Sequence, residues 1–189
     1  TTVQPVRATE SVQCPTAIPS TSVSRPGRSG STTRSVVRTF GGRVADMDAL
    51  DRYTRASEGF ETRLRGVQPD QWTASTPCEE WDVRALVTHL IGSHHLMLST
   101  LGQSHDTPGD ADDLLPIWST ARTAVLGALA DNATASQAVA SPFGEMPFAD
   151  LAGGLLVGDT LFHTWDLARA TGQDETLDAE LCATQLEMM

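Results

Sequence analysis

Apolar residues recur at helical spacing through most of the chain. Leu50, Tyr53, Phe60 and Leu64 lie three, seven and four positions apart, so they fall on one face of a helix. This pattern predicts a first helix in the run that begins at Met47 and stops near Gly66 and Pro69.

The same periodicity predicts further helices over residues 83–101, 112–130 and 148–171, and a short one from Leu177 onward. Asp82 is placed to cap the second helix, and Pro147 and Gly172 suit the beginning and the end of the fourth. The connectors are longer than minimal hairpins, and neither an internal repeat nor a strand pattern competes. The sequence therefore predicts an all-α, up-down four-helix bundle.

Residues 1–46 have a different composition, rich in Ser, Thr, Pro, Gly and Arg, with six Arg and two acids and no apolar run. Such a segment cannot bury enough apolar surface to offset its chain entropy, so we predict a disordered leader before a domain over residues 47–189. It also lacks the apolar stretch of a secretory signal. We interpret it as upstream sequence ahead of a natural start at Met47, with a transit peptide as the alternative. The chain ends inside a predicted helix, which we interpret as a truncation.

Charge and composition exclude several classes of function. The net charge is −11, and residues 47–189 alone carry seven Arg and 22 acids, which argues against a nucleic-acid or anionic-membrane partner. All 13 basic residues are Arg, so a lysine Schiff base and a Walker lysine are excluded. No apolar stretch is long enough to span a membrane. Cys14, Cys78 and Cys182 are odd in number and lack CxxC spacing, which indicates reduced thiols in a cytoplasm.

The fourth helix carries polar groups on its apolar stripe. At 100° per residue, Asp159 and Asp166 fall on the line of Leu155 and Phe162, with His163 beside it. A carboxylate that faces a bundle core is costly unless it is paired or binds a cation. Asp159 and His163 are one turn apart and can share a divalent metal ion. The alternative is a salt-bridged Asp beside a half-buried His.

A third ligand can come from the second helix, which offers His89, His94 and His95. His94 lies near the middle of the apolar stripe and His89 at its edge. Periodicity by itself therefore favours His94.

Two segments carry a family resemblance. TPCEEWDVRALVTHLIG, residues 76–92, resembles one signature of the mycothiol-dependent maleylpyruvate isomerase N-terminal domain family, within the DinB-like superfamily. GDTLFHTWDLARATGQ, residues 158–173, resembles the second signature, in which a carboxylate, three residues and His precede Trp-Asp-Leu-Ala. Two long motifs in the right order make this match specific.

The resemblance implies a four-helix bundle that holds a divalent metal, commonly zinc, through His89, Asp159 and His163. It thereby overrules the preference for His94. It further implies chemistry with a low-molecular-weight thiol such as mycothiol, as an isomerase or a transferase acting on a small electrophile. One departure is that Asp159 stands where the isomerase branch has Glu, so a metal would have to lie closer to the helix.

Other residues of the two signatures have structural interpretations. We interpret Cys78 as a packed thiol, with a nucleophile near a helix N-terminus as the alternative. Trp81 and Trp165 are expected to pack helix against helix, with a substrate platform as the alternative. Arg84 and Asp166 are expected either to pair across the bundle or, for Asp166, to orient a ligand imidazole.

Three functional hypotheses follow. The first is the thiol-dependent isomerase or transferase with a small-molecule substrate. The second is a metal-binding module without catalysis, and the third is a helical interaction or dimerisation domain with a buried ion-pair network. The sequence leaves open the substrate, the metal and whether the protein is a homodimer.

Overall fold

The computed structural model describes residues 47–188, so the predicted leader, Cys14 and Met189 lie outside the described residues. The helices of the described part are α1 (Ala49–Gly66), α2 (Val83–Ser99), α3 (Leu114–Ala130), α4 (Asn132–Ala135), α5 (Phe148–Leu151), α6 (Val157–Thr171) and α7 (Ala179–Glu187). This architecture confirms the all-α fold class. Within the described residues, no helix has both the length and the hydropathy that a membrane span needs.

Aspartate side chains set where several helices begin. Asp82 accepts a hydrogen bond from the Ala85 amide at 2.8 Å, as predicted for the start of α2. Asp113 and Asp178 cap α3 and α7 in the same way, so these helices begin at residues 114 and 179 rather than at the predicted 112 and 177. A side-chain cap thus decides the first helical residue more sharply than periodicity does.

The long helices form a bundle in which α1 and α2 each pack against both α3 and α6. Val83 and Leu114, at the starts of α2 and α3, belong to one core cluster. Leu98 and Leu129, at the ends of the same helices, belong to the other. Hence α2 and α3 run in the same direction, and the long connector between them returns along the bundle. The long helices α1, α2, α3 and α6 therefore run up, down, down and up, rather than alternating at every helix as the predicted up-down bundle would.

A β-hairpin that the periodicity did not predict lies between α4 and α5. Strand β1 (Ala138–Ser141) pairs antiparallel with β2 (Gly144–Pro147). Gly144 has φ +104°, which suits glycine in the tight turn. Each strand has four residues, too few for an alternating pattern to stand out. Pro147 ends β2 and immediately precedes α5, so it lies one position before the first helical position that was predicted for it.

The predicted fourth helix is a continuous helical segment, but it is not α-helical throughout. A π-helical turn, Ala152–Leu156, separates α5 from α6. The predicted apolar stripe is wrong from this turn onward, because Leu155, within the turn, and Phe162, after it, are 45% and 57% exposed. A π turn contains more residues than an α turn, so a constant step of 100° loses phase across it. Gln185 of α7 donates a hydrogen bond to the Gly154 carbonyl within this turn.

Candidate metal centre

Two packed helices bring the three predicted ligands together. His89 lies in the first half of α2, whose start is held by the Asp82 cap. Asp159 and His163 lie one turn apart on α6, directly after the π turn. The three side chains meet where α2 faces α6.

The donor atoms have the spacing that a metal ion requires. His89 Nε2 and His163 Nε2 lie 3.6 Å and 3.4 Å from Asp159 Oδ1. The three ligand atoms all lie within 4.8 Å of one another. In a tetrahedral zinc site with bonds of about 2.0–2.1 Å, neighbouring ligands are roughly 3.3 Å apart. The aspartate therefore reaches both imidazoles, although it is one methylene shorter than glutamate.

The second oxygen of Asp159 also fits a cation. Asp159 Oδ2 is buried, and among the described residues it has no hydrogen-bond partner. A buried carboxylate oxygen without a partner costs free energy unless a cation or water satisfies it. Two imidazole nitrogens and a carboxylate are a donor set that zinc accepts.

Without a metal ion, the three groups form a hydrogen-bonded network. Burial alone would raise the pKa of Asp159, but hydrogen bonds from His163 and His89 outweigh this effect and hold that pKa well below its usual range. Burial alone would lower the pKa of His163, but Asp159 and Asp166 raise it to about 9. At neutral pH, a metal ion would therefore replace the proton on His163 Nε2.

Asp166 orients the His163 ring. Its Oδ2 lies 3.0 Å from His163 Nδ1, so that nitrogen donates and Nε2 is left to face Asp159. Cys78 Sγ donates to the same carboxylate oxygen at 3.4 Å. Cys78, His163 and Asp166 form a second group of metal-ligand type that shares His163 with the first.

Trp81 forms an aromatic wall beside the site. Its ring centroid lies 4.6 Å from that of His89 and 5.9 Å from that of His163. Helix packing, with a substrate platform as the alternative, was the expectation for Trp81. Trp81 and His89 belong to the same signature, residues 76–92, and this was the available signal that they lie close together.

The other signature residues lie outside the site. Arg84 donates to the backbone carbonyls of Gly109 and Asp112 at 2.9 Å and 2.8 Å, so it ties α2 to the long connector. The predicted alternative in which it pairs with Asp166 is not the observed arrangement. Trp165 is half-buried on α6, with the Arg169 guanidinium 5.1 Å from its ring centroid.

His94, which periodicity favoured as a ligand, is a core residue. It is completely buried between the rings of Tyr53 and Trp118. Its Nδ1 donates to the Leu90 carbonyl at 2.7 Å. Burial lowers its pKa to about 4, so the ring is neutral at pH 7. The middle of an apolar stripe points to the bundle axis, whereas the three ligands meet nearer to the surface.

A cavity of about 560 Å³ adjoins the site. Asp159 and Ser93 line it, and Ser93 Oγ lies 3.5 Å from His89 Nε2. Its other walls come from α2, the π turn and the β1–β2 turn. Helical periodicity indicates neither the π turn nor the path of the hairpin, so the cavity could not be predicted from it.

Comparisons with known proteins show what the chain is similar to. Residues 53–168 match the family model of the mycothiol maleylpyruvate isomerase N-terminal domain. Two uncharacterized proteins of Mycobacterium tuberculosis, from strains CDC 1551 / Oshkosh and H37Rv, are each 33% identical over 140 residues. Each alignment covers 74% of this chain and 76% of the relative. No solved structure gives a significant match. The family match spans the first signature, residues 158–168 of the second and all three candidate ligands, and the chain therefore belongs to the mycothiol maleylpyruvate isomerase N-terminal domain family.

Proposed function

We propose that this protein is a cytoplasmic, divalent-metal-dependent enzyme that uses a small thiol such as mycothiol to isomerise a small electrophile or to transfer a group. The observation that carries the proposal is the convergence of His89 Nε2, Asp159 Oδ1 and His163 Nε2 beside a cavity of substrate size. The family description, which names mycothiol and an isomerase, supports the same chemistry.

Zinc is the metal that we propose, with His89, Asp159 and His163 as its ligands. When bound by three protein groups, zinc leaves one position for an exogenous ligand and lowers the pKa of a thiol there. The protein's own residues set the charge of Asp159 and the orientation of His163. Asp159 stays ionised, and Asp166 keeps the His163 ring in one orientation.

The thiol comes from a cofactor in this proposal, because neither described cysteine suits the role of a nucleophile. The Cys78 thiol donates a hydrogen bond to the Asp166 carboxylate. Cys182 lies on α7, and burial raises its pKa above the usual value. A reactive protein thiol needs the opposite effect, a lowered pKa.

One observation favours a second candidate, the helical module with an ion-pair network. Asp159 and Asp166 both contact His163 and raise its pKa, which supports an imidazolium that these carboxylates stabilise without any metal. Metal analysis separates the two candidates directly.

The test is zinc content and thiol-dependent turnover. We expect wild-type protein to bind about one equivalent of zinc and the His163→Ala variant to lose it. His95→Ala is the matched control, because His95 lies on α2 outside the ligand set. Loaded protein is then assayed with mycothiol against a panel of cis-alkenes and other electrophiles.

Two results would contradict parts of the proposal. If wild-type and His163→Ala proteins bind equal amounts of zinc, the site is elsewhere and the ion-pair network is favoured. If zinc binds at the site but no electrophile reacts in a thiol-dependent way, the protein is a metal-binding module without this catalysis.

A further inference from the structure

The cavity beside the candidate metal centre has a strongly apolar lining. Most of its wall consists of aliphatic side chains from α2, α5 and the π turn, with a proline from the β1–β2 turn: Leu96, Met97, Leu151, Leu155, Leu156 and Pro142. Leu96 is 72% exposed and Leu155 is 45% exposed. Large apolar side chains that remain exposed around a cavity are typical of a surface that a ligand covers.

The charged and reactive groups lie at one side of this cavity. Asp159, a candidate ligand, is a lining residue, and Ser93 reaches toward His89 Nε2. A molecule that fills the cavity therefore touches the candidate metal centre with one end and the aliphatic wall with the rest.

Among the described residues, the cavity lining offers no positively charged side chain to an anionic substrate. Asp159 is the only charged side chain among the described lining residues, and it is negative. The chain has no lysine, so every cationic side chain except a protonated histidine would have to be an arginine. A metal ion at the centre could attract one anionic group, but a second would lie against leucine side chains without a partner. Burying such an unpaired carboxylate is strongly unfavourable.

We infer that the cavity beside Asp159 takes the uncharged, apolar body of a small electrophile and discriminates against dicarboxylates. This inference rests on the proposed function and specifies its substrate class. Maleylpyruvate, from which the family takes its name, carries two carboxylates and does not match this lining. The family fold is thus combined here with a different specificity.

Binding of a matched pair of unreactive probes tests the inference. Diethyl succinate and succinate share a carbon skeleton and differ in charge, and neither reacts with thiols. Titrations of the zinc-loaded protein, followed by ligand-observed NMR, should show at least about tenfold tighter binding of the diester, equivalent to about 1.4 kcal/mol.

A positive charge introduced at the rim of the cavity tests whether the probes bind in this cavity. In Leu96→Arg, the preference for the diester should fall at least about tenfold, because the guanidinium offers the missing counter-charge. Leu186→Arg is the matched control. Leu186 is also 72% exposed, but it lies on α7 and does not line this cavity, so the preference should be unchanged.

The outcomes separate the inference from the proposed function. Equal or tighter binding of succinate to wild-type protein overturns the inference, and so does an equal effect of the two arginine substitutions. The zinc content of the same samples tests the proposed function independently, since the probe comparison does not depend on turnover.

Discussion

Asp159 is the side chain on which the candidate centre depends. One of its carboxylate oxygens faces both His89 and His163, and the other is buried without a partner among the described residues. Asp166 has a different role, because it contacts Nδ1 of His163 and not Nε2, the candidate ligand atom. Asp159 would therefore contact a metal ion directly, whereas Asp166 would act on it only through the His163 ring.

Replacing Asp166 separates orientation from ligation. We expect Asp166→Asn to keep about one bound zinc but to weaken its affinity about 10- to 100-fold, because the amide carries no charge to support the His163 ring. Asp150→Asn, at an exposed position of α5, is the control and should leave the affinity unchanged. Competition with a chromophoric chelator measures both. Complete loss of zinc in Asp166→Asn would instead make Asp166 a ligand.

Buried His94 gives the protein a pH-dependent stability. Burial lowers its pKa from 6.5 to about 4, so between these values the unfolded chain binds a proton that the folded protein excludes. This contribution to stability is complete above pH 6.5 and is lost as the pH falls toward 4. We expect His94→Phe to abolish a pH-dependent component of about 3 kcal/mol. Urea unfolding at several pH values measures it, and parallel pH profiles for the two proteins would contradict the assignment.

At the scale of elements, the π turn shapes the site more than any other segment. It shifts the phase of α6, so that Asp159 and His163 face α2 while Phe162 points outward. It also places Leu155 and Leu156 in the cavity wall. The glycines of the turn have different environments. A Cβ on Gly153 would lie 3.1 Å from the Ala49 Cβ, whereas on Gly154 it would meet only the end of a methionine side chain at 3.9 Å.

Alanine at these two positions tests the packing of the π turn on α1. We expect Gly154→Ala to stabilise the protein by about 0.5–1 kcal/mol through its helix propensity. Gly153→Ala should be less stable than Gly154→Ala by about 1–3 kcal/mol, because the added methyl overpacks the contact with α1. Chemical denaturation measures the difference. Equal stabilities would mean that α1 can move away from the turn at no cost.

For the whole molecule, the candidate centre links two helices that are far apart in sequence. The ligands on α2 and α6 converge only because these helices pack against each other in the bundle. A metal ion that binds this arrangement, and not the unfolded chain, stabilises the entire fold by mass action.

Zinc should therefore raise the free energy of unfolding. At a free zinc concentration about 100 times the dissociation constant, we expect a gain of about 2.7 kcal/mol. A chelator should reverse the gain, and His163→Ala should not show it. Denaturant unfolding with and without zinc measures the effect, and an equal gain in the variant would place the binding elsewhere.

The amino-acid sequence by itself determined the helical fold class, the caps at Asp82 and Gly172 and, through its two signatures, the family, and it predicted the ligand set. These features are local, since periodicity, capping and motif spacing act over a few turns of chain. Only the tertiary structure decided that His94 is a core residue, that α2 and α3 run in the same direction, and that a cavity opens at Asp159. The π turn, the hairpin and the packing of α2 on α6 bring together residues far apart in the chain, and helical periodicity carries no information on such contacts.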